Sequence, residues 1–205
     1  GANGVSCLLI EKETKGLSFG KQEKKMGWNS QHTSTVNFDN CEIPIDNIVG
    51  NEGDGFKIAM KGLDGGRVNI AACSLGGARA ALDASLSYAA DRKQFGKSID
   101  QFQATQFKLA DMATELEASR LMVLRAAASL DLKDIQSTKY CAMAKRFATD
   151  ICSDICNEAL QIHGGYGYLK DFPLERLVRD LRVHQILEGT NEIMRVIISR
   201  KLKGN

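Results

Sequence analysis

The chain lacks any uncharged apolar run of about 18 residues, the length a membrane-crossing helix requires, so no transmembrane helix is expected. It also lacks charge imbalance. Lys and Arg total 27 against 25 Asp and Glu, a net of +2, and bulk charge gives no reason to expect a nucleic-acid partner. No Cys-x-x-Cys occurs among Cys7, Cys41, Cys73, Cys141, Cys152 and Cys156, which argues against a zinc site or a redox pair, and no metal is expected. Cys152 and Cys156 stand four apart on a helical pattern, where both can face one core as free thiols, and a reducing compartment fits better than secretion. His163 and His184 have Leu160 and Leu181 three residues before them. A di-iron site, which needs Glu-x-x-His on facing helices, is therefore excluded. No internal repeat or low-complexity segment is present. Gly1–Cys7 has no basic or amphipathic Arg-rich stretch, so no signal or transit peptide is visible.

What remains is ordinary for a soluble globular protein, with 43% hydrophobic and 25% charged residues over 205 positions. That length permits one or two domains and a sizeable core. The first fifty residues read as strands and turns. Gly4–Ile10 is a short apolar run, and Thr33–Phe38 alternates with a period of two. Lys21–Lys25 between them reads as a solvated turn, and Pro44 breaks the strand pattern. So few strands rarely form a core, so partner strands are expected to be absent from this chain or replaced by its helical part.

After Gly50–Gly55 the texture becomes helical and stays so. Apolar residues recur at helical spacing over 56–92, about 100–130 and about 135–163, and the third helix stops at Gly164-Gly165, where a left-handed cap is expected. A shorter segment runs from Pro173 to Arg182, and the last helix spans 189–203. Long helices with short connections predict an antiparallel bundle. The expected division is 1–51 for the strand part and 52–205 for the helical part.

Glu188 is the candidate base. Apolar Ile186 and Leu187 precede it, Gly189 leaves it unshielded from a ligand, and Thr190 or Asn191 can cap the next helix, with Glu192 in its first turn. A carboxylate on apolar walls loses hydration and becomes a better acceptor for the proton of a weak carbon acid. Glu188 and Glu192 also suit a plain helix start, where the dipole favours acids. Gly65-Gly66 before Arg67 interrupts an apolar helical stretch, which fits either close approach of a ligand or a helix crossing. Arg92-Lys93 before Gly96 fits a helix C-terminal turn. The stop after His163 explains both glycines of Gln161-Ile-His-Gly-Gly165 without calling for Gln161, and His163 reads as a structural histidine.

Four segments in order, Leu63-Asp-Gly-Gly-Arg67, Arg92-Lys-Gln-Phe-Gly96, Gln161-Ile-His-Gly-Gly165 and Gln185-Ile-Leu-Glu-Gly-Thr190, resemble the C-terminal part of the acyl-CoA dehydrogenases. The resemblance extends from Gly4 to about Leu202. It implies a mainly α chain, a C-terminal antiparallel helical bundle of the acyl-CoA dehydrogenase type preceded by a remnant of the middle β-domain. It further implies FAD as cofactor and Glu188 as the catalytic base. Arg92 would reach the FAD pyrophosphate of a neighbouring subunit, Phe102 and Gln103 would pack near the adenosine end, and Gln161, Ile162, His163, Gly164 and Gly165 would hold the adenine side. Thr190, Asn191 and Glu192 would lie beside the flavin. Asp64, Gly65, Gly66, Arg67 and Arg200 would contact the acyl-CoA, although Arg200 also reads as a surface arginine near a helix end. Phe102 and Gln103 depart from the residue types of the nearest branch.

By the same resemblance the substrate is a short branched-chain acyl-CoA of the isobutyryl type, oxidised to the 2-enoyl-CoA in branched-chain amino acid catabolism. The protein would be a homotetramer of the mitochondrial matrix that passes electrons to an electron-transfer flavoprotein, without membrane insertion. Short straight-chain or 2-methyl-branched substrates are the alternative. A non-catalytic helical assembly domain is the alternative of another class. The resemblance does not reach the segments that precede Gly1 in full-length members, so the chain reads as a fragment that is inactive by itself.

Overall fold

The structure, a computed structural model, describes residues 1–203. The chain is mainly helical and divides into two units, Gly1–Leu63 and Asp64–Asn205, with the boundary inside the first long helix. No helix among the described residues is long and apolar enough to cross a membrane.

The first unit holds an antiparallel ribbon of β1 (Leu17–Phe19) and β2 (Val36–Phe38), in the register Leu17↔Phe38, Ser18↔Asn37, Phe19↔Val36. Phe19, Val36 and Phe38 are about half exposed, so the ribbon's apolar side chains are not covered within the described residues. The strand expected over 4–10 does not form. It is reduced to a single bridge, Leu8↔Ile48, with Leu9 N–H donating to the Asn47 carbonyl and Val49 N–H to that of Cys7. An apolar run makes a strand only as far as a partner runs beside it, and here the partner is Asn47–Val49. Regular pairing in the second predicted strand likewise covers only Val36–Phe38.

The helices are α1 (Gly55–Asp91), α2 (Gln103–Asp131), α3 (Ser137–His163), α4 (Leu174–Arg182) and α5 (Asn191–Leu202). A two-residue ribbon, β3 (Lys93–Gln94) with β4 (Lys97–Ser98), turns through Phe95 and Gly96, both at positive φ, and joins α1 to α2. A 3-10 turn at Ile99–Gln101 delays the α2 start to Gln103, whereas sequence periodicity places it near 100.

Among the described residues, all buried hydrophobic side chains lie between Ile70 and Met194. On α1 the buried stripe is Ala71, Ser74, Ala78, Ala81, Leu82, Ser85 and Ala89, the spacing of one helical face. Small residues there allow close packing, and the Ser74 and Ser85 hydroxyls are satisfied by donating to the Ile70 and Ala81 carbonyls. Ala71 clusters with Val123 and Ala126 of α2 and with Cys141, Ala144 and Ala148 of α3. Ala78, Ala81, Leu82 and Ala89 cluster with Leu109, Met112 and Leu116, and with Cys152, Ile155, Cys156 and Ala159. As α1 advances, its partners on α2 recede and those on α3 advance, so consecutive long helices are antiparallel, as the short connections predict. Cys152 and Cys156 are buried free thiols in this core, and burial pushes both up to about 12.

The α3 stop also follows the sequence. Gly164 takes φ +58° with ψ −134°, outside the αL conformation expected of the cap, a combination that glycine allows. The chain then winds through a 3-10 turn, Gly164–Tyr168, toward α4.

Candidate active site

Glu188 occupies the connection between α4 and α5. A 3-10 turn at Val183–Gln185 follows α4, and the Ile186 and Leu187 amides both donate to the Val183 carbonyl. Glu188 then enters the left-handed region at φ +55°, followed by Gly189 at +90°. A non-glycine residue there carries a steric cost, and such residues persist where surrounding structure over-determines them. Gly189 cannot be replaced without strain. Besides its φ, a β-carbon on it would lie 2.8 Å from Met194 Cε. Thr190 caps α5, its Oγ1 accepting from the Ile193 amide at 3.4 Å.

The turn aims the carboxylate at α1. A β-carbon built on Gly66 would stand 2.3 Å from Glu188 Oε2 and 2.7 Å from Cδ, so the carboxyl group rests in the place of the missing side chain. This contact gives Gly66 a site role and distinguishes it from Gly65, whose added β-carbon would meet nothing within 4 Å. Ile186, expected as an apolar wall, is 52% exposed. Among the described residues Glu188 makes no hydrogen bond or ion pair through its carboxylate, and its backbone N–H is also without an acceptor.

Beneath the turn, one face of α3 holds it by side-chain hydrogen bonds. Lys145 is fully buried, and its Nζ donates to the Gly189 carbonyl and to Asn191 Oδ1, both at 2.9 Å. Asn191 Nδ2 donates to Asp150 Oδ1 at 2.7 Å and to Thr149 Oγ1 at 2.9 Å. Gln185 Nε2 donates to the same Asp150 oxygen at 2.8 Å, so the turn is tied on both flanks. Burial pushes the Lys145 ammonium down to about 8; Arg67 lowers it further, while Asp150, Glu192 and Glu188 act to raise it. Asn191 is thus buried with its amide engaged on α3, while Glu192 is exposed. Buried His184 places Nδ1 2.7 Å from Ser74 Oγ, and burial pushes it down to about 4, against the opposing charge of Asp180.

Asp64 and Arg67 pair with each other at 2.7 Å, and Asp64 Oδ2 also accepts from Thr138 Oγ1 of α3 at 2.6 Å. Arg67 is 6% exposed, and its Nε has no hydrogen-bond partner among the described residues. Arg200 lies exposed in the last turn of α5, about 14 Å along the helix from Asn191, outside this cluster.

A second group of residues gathers where α1, the β3–β4 ribbon and the α3 end meet. One cleft of about 400 Å³ is lined by Gln94, Phe95, Ile99, Phe102, Gln161 and Ile162 among others. An adjoining cleft of about 380 Å³ shares Gln94, Ile99 and Ile162 and adds Arg92, His163, Gly164 and Gly165. Arg92 sits over the Tyr166 ring at 5.6 Å and has no carboxylate partner among the described residues. His163 is a packed residue. It is buried, stacks on Tyr88 at 4.2 Å and donates from Nδ1 to the Ala159 carbonyl at 2.8 Å. Gln103 is exposed at the first position of α2 and does not line either cleft; neither does Glu188.

Residues 53–203 match the family model of the acyl-CoA dehydrogenase C-terminal domain. The chain belongs to the acyl-CoA dehydrogenase family. It is 57% identical over 202 residues to the mitochondrial isobutyryl-CoA dehydrogenase of Dictyostelium discoideum, covering 98% of this chain and 49% of that protein. The butyryl-CoA dehydrogenase of Megasphaera elsdenii superposes with a TM-score of 0.96 at 41% identity, over 99% of this chain and 53% of that one. A chain solved in work on the electron transferring flavoprotein of Acidaminococcus fermentans gives 0.97 at 47% identity, over 100% of this chain and 54% of that one. The chain therefore spans about half the length of the relatives it matches.

In this acyl-CoA dehydrogenase chain, sequence reasoning named as candidates Glu188, Gly66, Asp64 and Arg67, which the fold brings to one cluster, and Arg92 with Gln161–Gly165, which it brings to another. It missed Lys145, Thr149 and Asp150. A signal for them existed, because Lys145 falls on the same α3 stripe as buried Cys141, Ala148 and Cys152, where a charge demands a partner.

Proposed function

We propose that this chain is the base-bearing part of an FAD-dependent dehydrogenase acting on a short branched-chain acyl-CoA of the isobutyryl type, yielding the 2-enoyl-CoA. The observation that carries the reading is the Glu188 carboxylate. It stands on a left-handed turn against a glycine, with no protein group among the described residues bonded to it. A carboxylate kept free of internal partners can take a proton from a ligand, and one seated over a glycine has room for that ligand beside it.

The α-proton passes to Glu188 as the Cα–Cβ double bond forms. The Glu188 N–H, without an acceptor among the described residues, can donate to the thioester oxygen and stabilise charge that develops there. Arg67 Nε, buried and lacking an acceptor, supports the assignment of Asp64–Arg67 to substrate contact. When bound, FAD supplies the acceptor for the hydride from the β-carbon. The residues present fit that group. Arg92 offers a guanidinium with no acidic partner among the described residues, suited to a pyrophosphate, beside exposed Gly164 and Gly165 and the clefts lined by Phe102, Gln161 and Ile162. Thr190 and Glu192 belong to the Glu188 end of the flavin, with Asn191 serving from beneath, and Gln103 and Arg200 contribute at the periphery.

The name of the Dictyostelium relative supports a mitochondrial location, and that of a solved relative supports an electron-transferring flavoprotein as acceptor. Half-exposed Leu121 and Leu124 on α2 and the family's architecture support a homotetramer. The half-length match and the uncovered apolar ribbon support inactivity of the 205-residue chain alone.

The test is Glu188→Gln in the complete gene product that contains this chain. Turnover of isobutyryl-CoA should vanish while the flavin absorbance band is retained. Unchanged turnover would sink the assignment of the base, and a protein with no flavin and no turnover in either form would favour an assembly domain.

A further inference from the structure

We infer that Lys145 is a positioning residue for the reaction, holding the Glu188 carboxylate at its working place through the backbone of the turn. The inference rests on the reading of Glu188 as the base. Both hydrogen bonds of the Lys145 ammonium end within three residues after Glu188, one on the Gly189 carbonyl and one on Asn191 Oδ1. Glu188 is at positive φ, which is costly for a non-glycine residue, so this segment needs an external tie to stay in one conformation.

The placement of Lys145 is hard to explain by packing. It is fully buried on an α3 stripe otherwise made of Cys141, Ala144, Ala148 and Cys152, where a methionine would fill similar space without desolvating a charge. No carboxylate contacts Lys145 Nζ directly among the described residues, so the ammonium is spent on a carbonyl and an amide oxygen. Asn191 extends the hold to Thr149 and Asp150, and Asp150 reaches back to Gln185 on the other flank. Lys145 and Thr149, four apart, share one face of α3, and Asp150 flanks that face. Meanwhile the Glu188 side chain has no hydrogen bond of its own among the described residues. Its position is therefore set by the turn.

The test compares the complete, flavin-loaded protein with Lys145→Met and Glu188→Gln variants, using isobutyryl-CoA and its α-deuterated form. K145M should keep its flavin content, its melting temperature within a few degrees and its KM within about twofold. Its kcat should fall about 10- to 100-fold, the scale for an ångström-sized misplacement of a reacting group, and the α-deuterium isotope effect on kcat should rise as proton abstraction becomes limiting. Wild-type kcat and isotope effect in K145M would overturn the inference. So would a parallel loss of stability, flavin and kcat with no change in isotope effect, since that is general loosening. If K145M yields no folded protein, Lys145→Gln, which keeps an N–H donor on a shorter stem, is judged by the same readings. Full activity in E188Q would instead remove the base itself, a failure distinguishable from that of Lys145.

Discussion

Gly66→Ala separates the needs of the helix from those of the site. Gly66 lies within α1 and is not among the glycines at positive φ, so nothing in the local backbone requires glycine. Judged by helix propensity, alanine should stabilise the protein by about 1 kcal/mol, or roughly 2–4 °C in a chain of this size. The new β-carbon, however, would stand 2.3 Å from Glu188 Oε2. Carbon–oxygen contacts settle near 3.3 Å, so the carboxylate must retreat by about 1 Å. A carboxylate at the end of a flexible side chain can do so cheaply, and stability should remain neutral or rise. A displacement of that size costs about 100-fold in rate, near 2.7 kcal/mol on the barrier. The assay is acyl-CoA-dependent reduction of an electron-acceptor dye by the complete gene product, with melting followed in parallel. Gly76→Ala is the control, because its β-carbon would meet nothing within 4 Å of an exposed face. Wild-type turnover in G66A would refute the idea that the glycine is there for the carboxylate. A loss of more than about 2 kcal/mol of stability would refute the premise that the side chain yields, since that is the range of forced overpacking.

Gly77→Ala, one residue from the control, should behave in the opposite way. Its β-carbon would lie 2.4 Å from Leu181 Cδ1 in the core, so about 1–3 kcal/mol of stability should be lost, measured by urea unfolding. Acid should weaken the fold through His184. Its folded value is pushed down to about 4 from 6.5, so between those values the unfolded chain binds the extra proton. Stability should therefore fall as pH drops below about 6.5 and level off near 4, by at most about 3 kcal/mol, and His184→Asn should flatten that part of the pH–stability curve.

Much of the helical unit was legible because its signals are local. The apolar stripe of α1, the glycine stop after His163 and the Thr190 cap all depend on residues within a few positions of each other, and the structure follows them closely. The strand over Gly4–Ile10 failed because a strand is defined by its partner, and only Asn47–Val49 runs beside it. Within the site, Glu188 could be named from its turn, and Asp64–Arg67 and Gln161–Gly165 from their motifs. Lys145 escaped because a lysine in an Ala-rich helix reads as a surface residue unless its stripe is followed turn by turn.

The sequence by itself determined that this chain would form long antiparallel helices, where they would stop, and that an acidic residue would sit on a glycine-flanked turn. Periodicity, capping and backbone preference act over one or two helical turns and need no knowledge of the fold. Only the tertiary structure decided that Gly66, 122 positions earlier, leaves the space in which the Glu188 carboxylate lies. It also decided that a buried ammonium on α3 holds the turn from below. Those arrangements come from packing between helices distant in sequence, where a missing β-carbon and a desolvated charge acquire meaning only from what faces them.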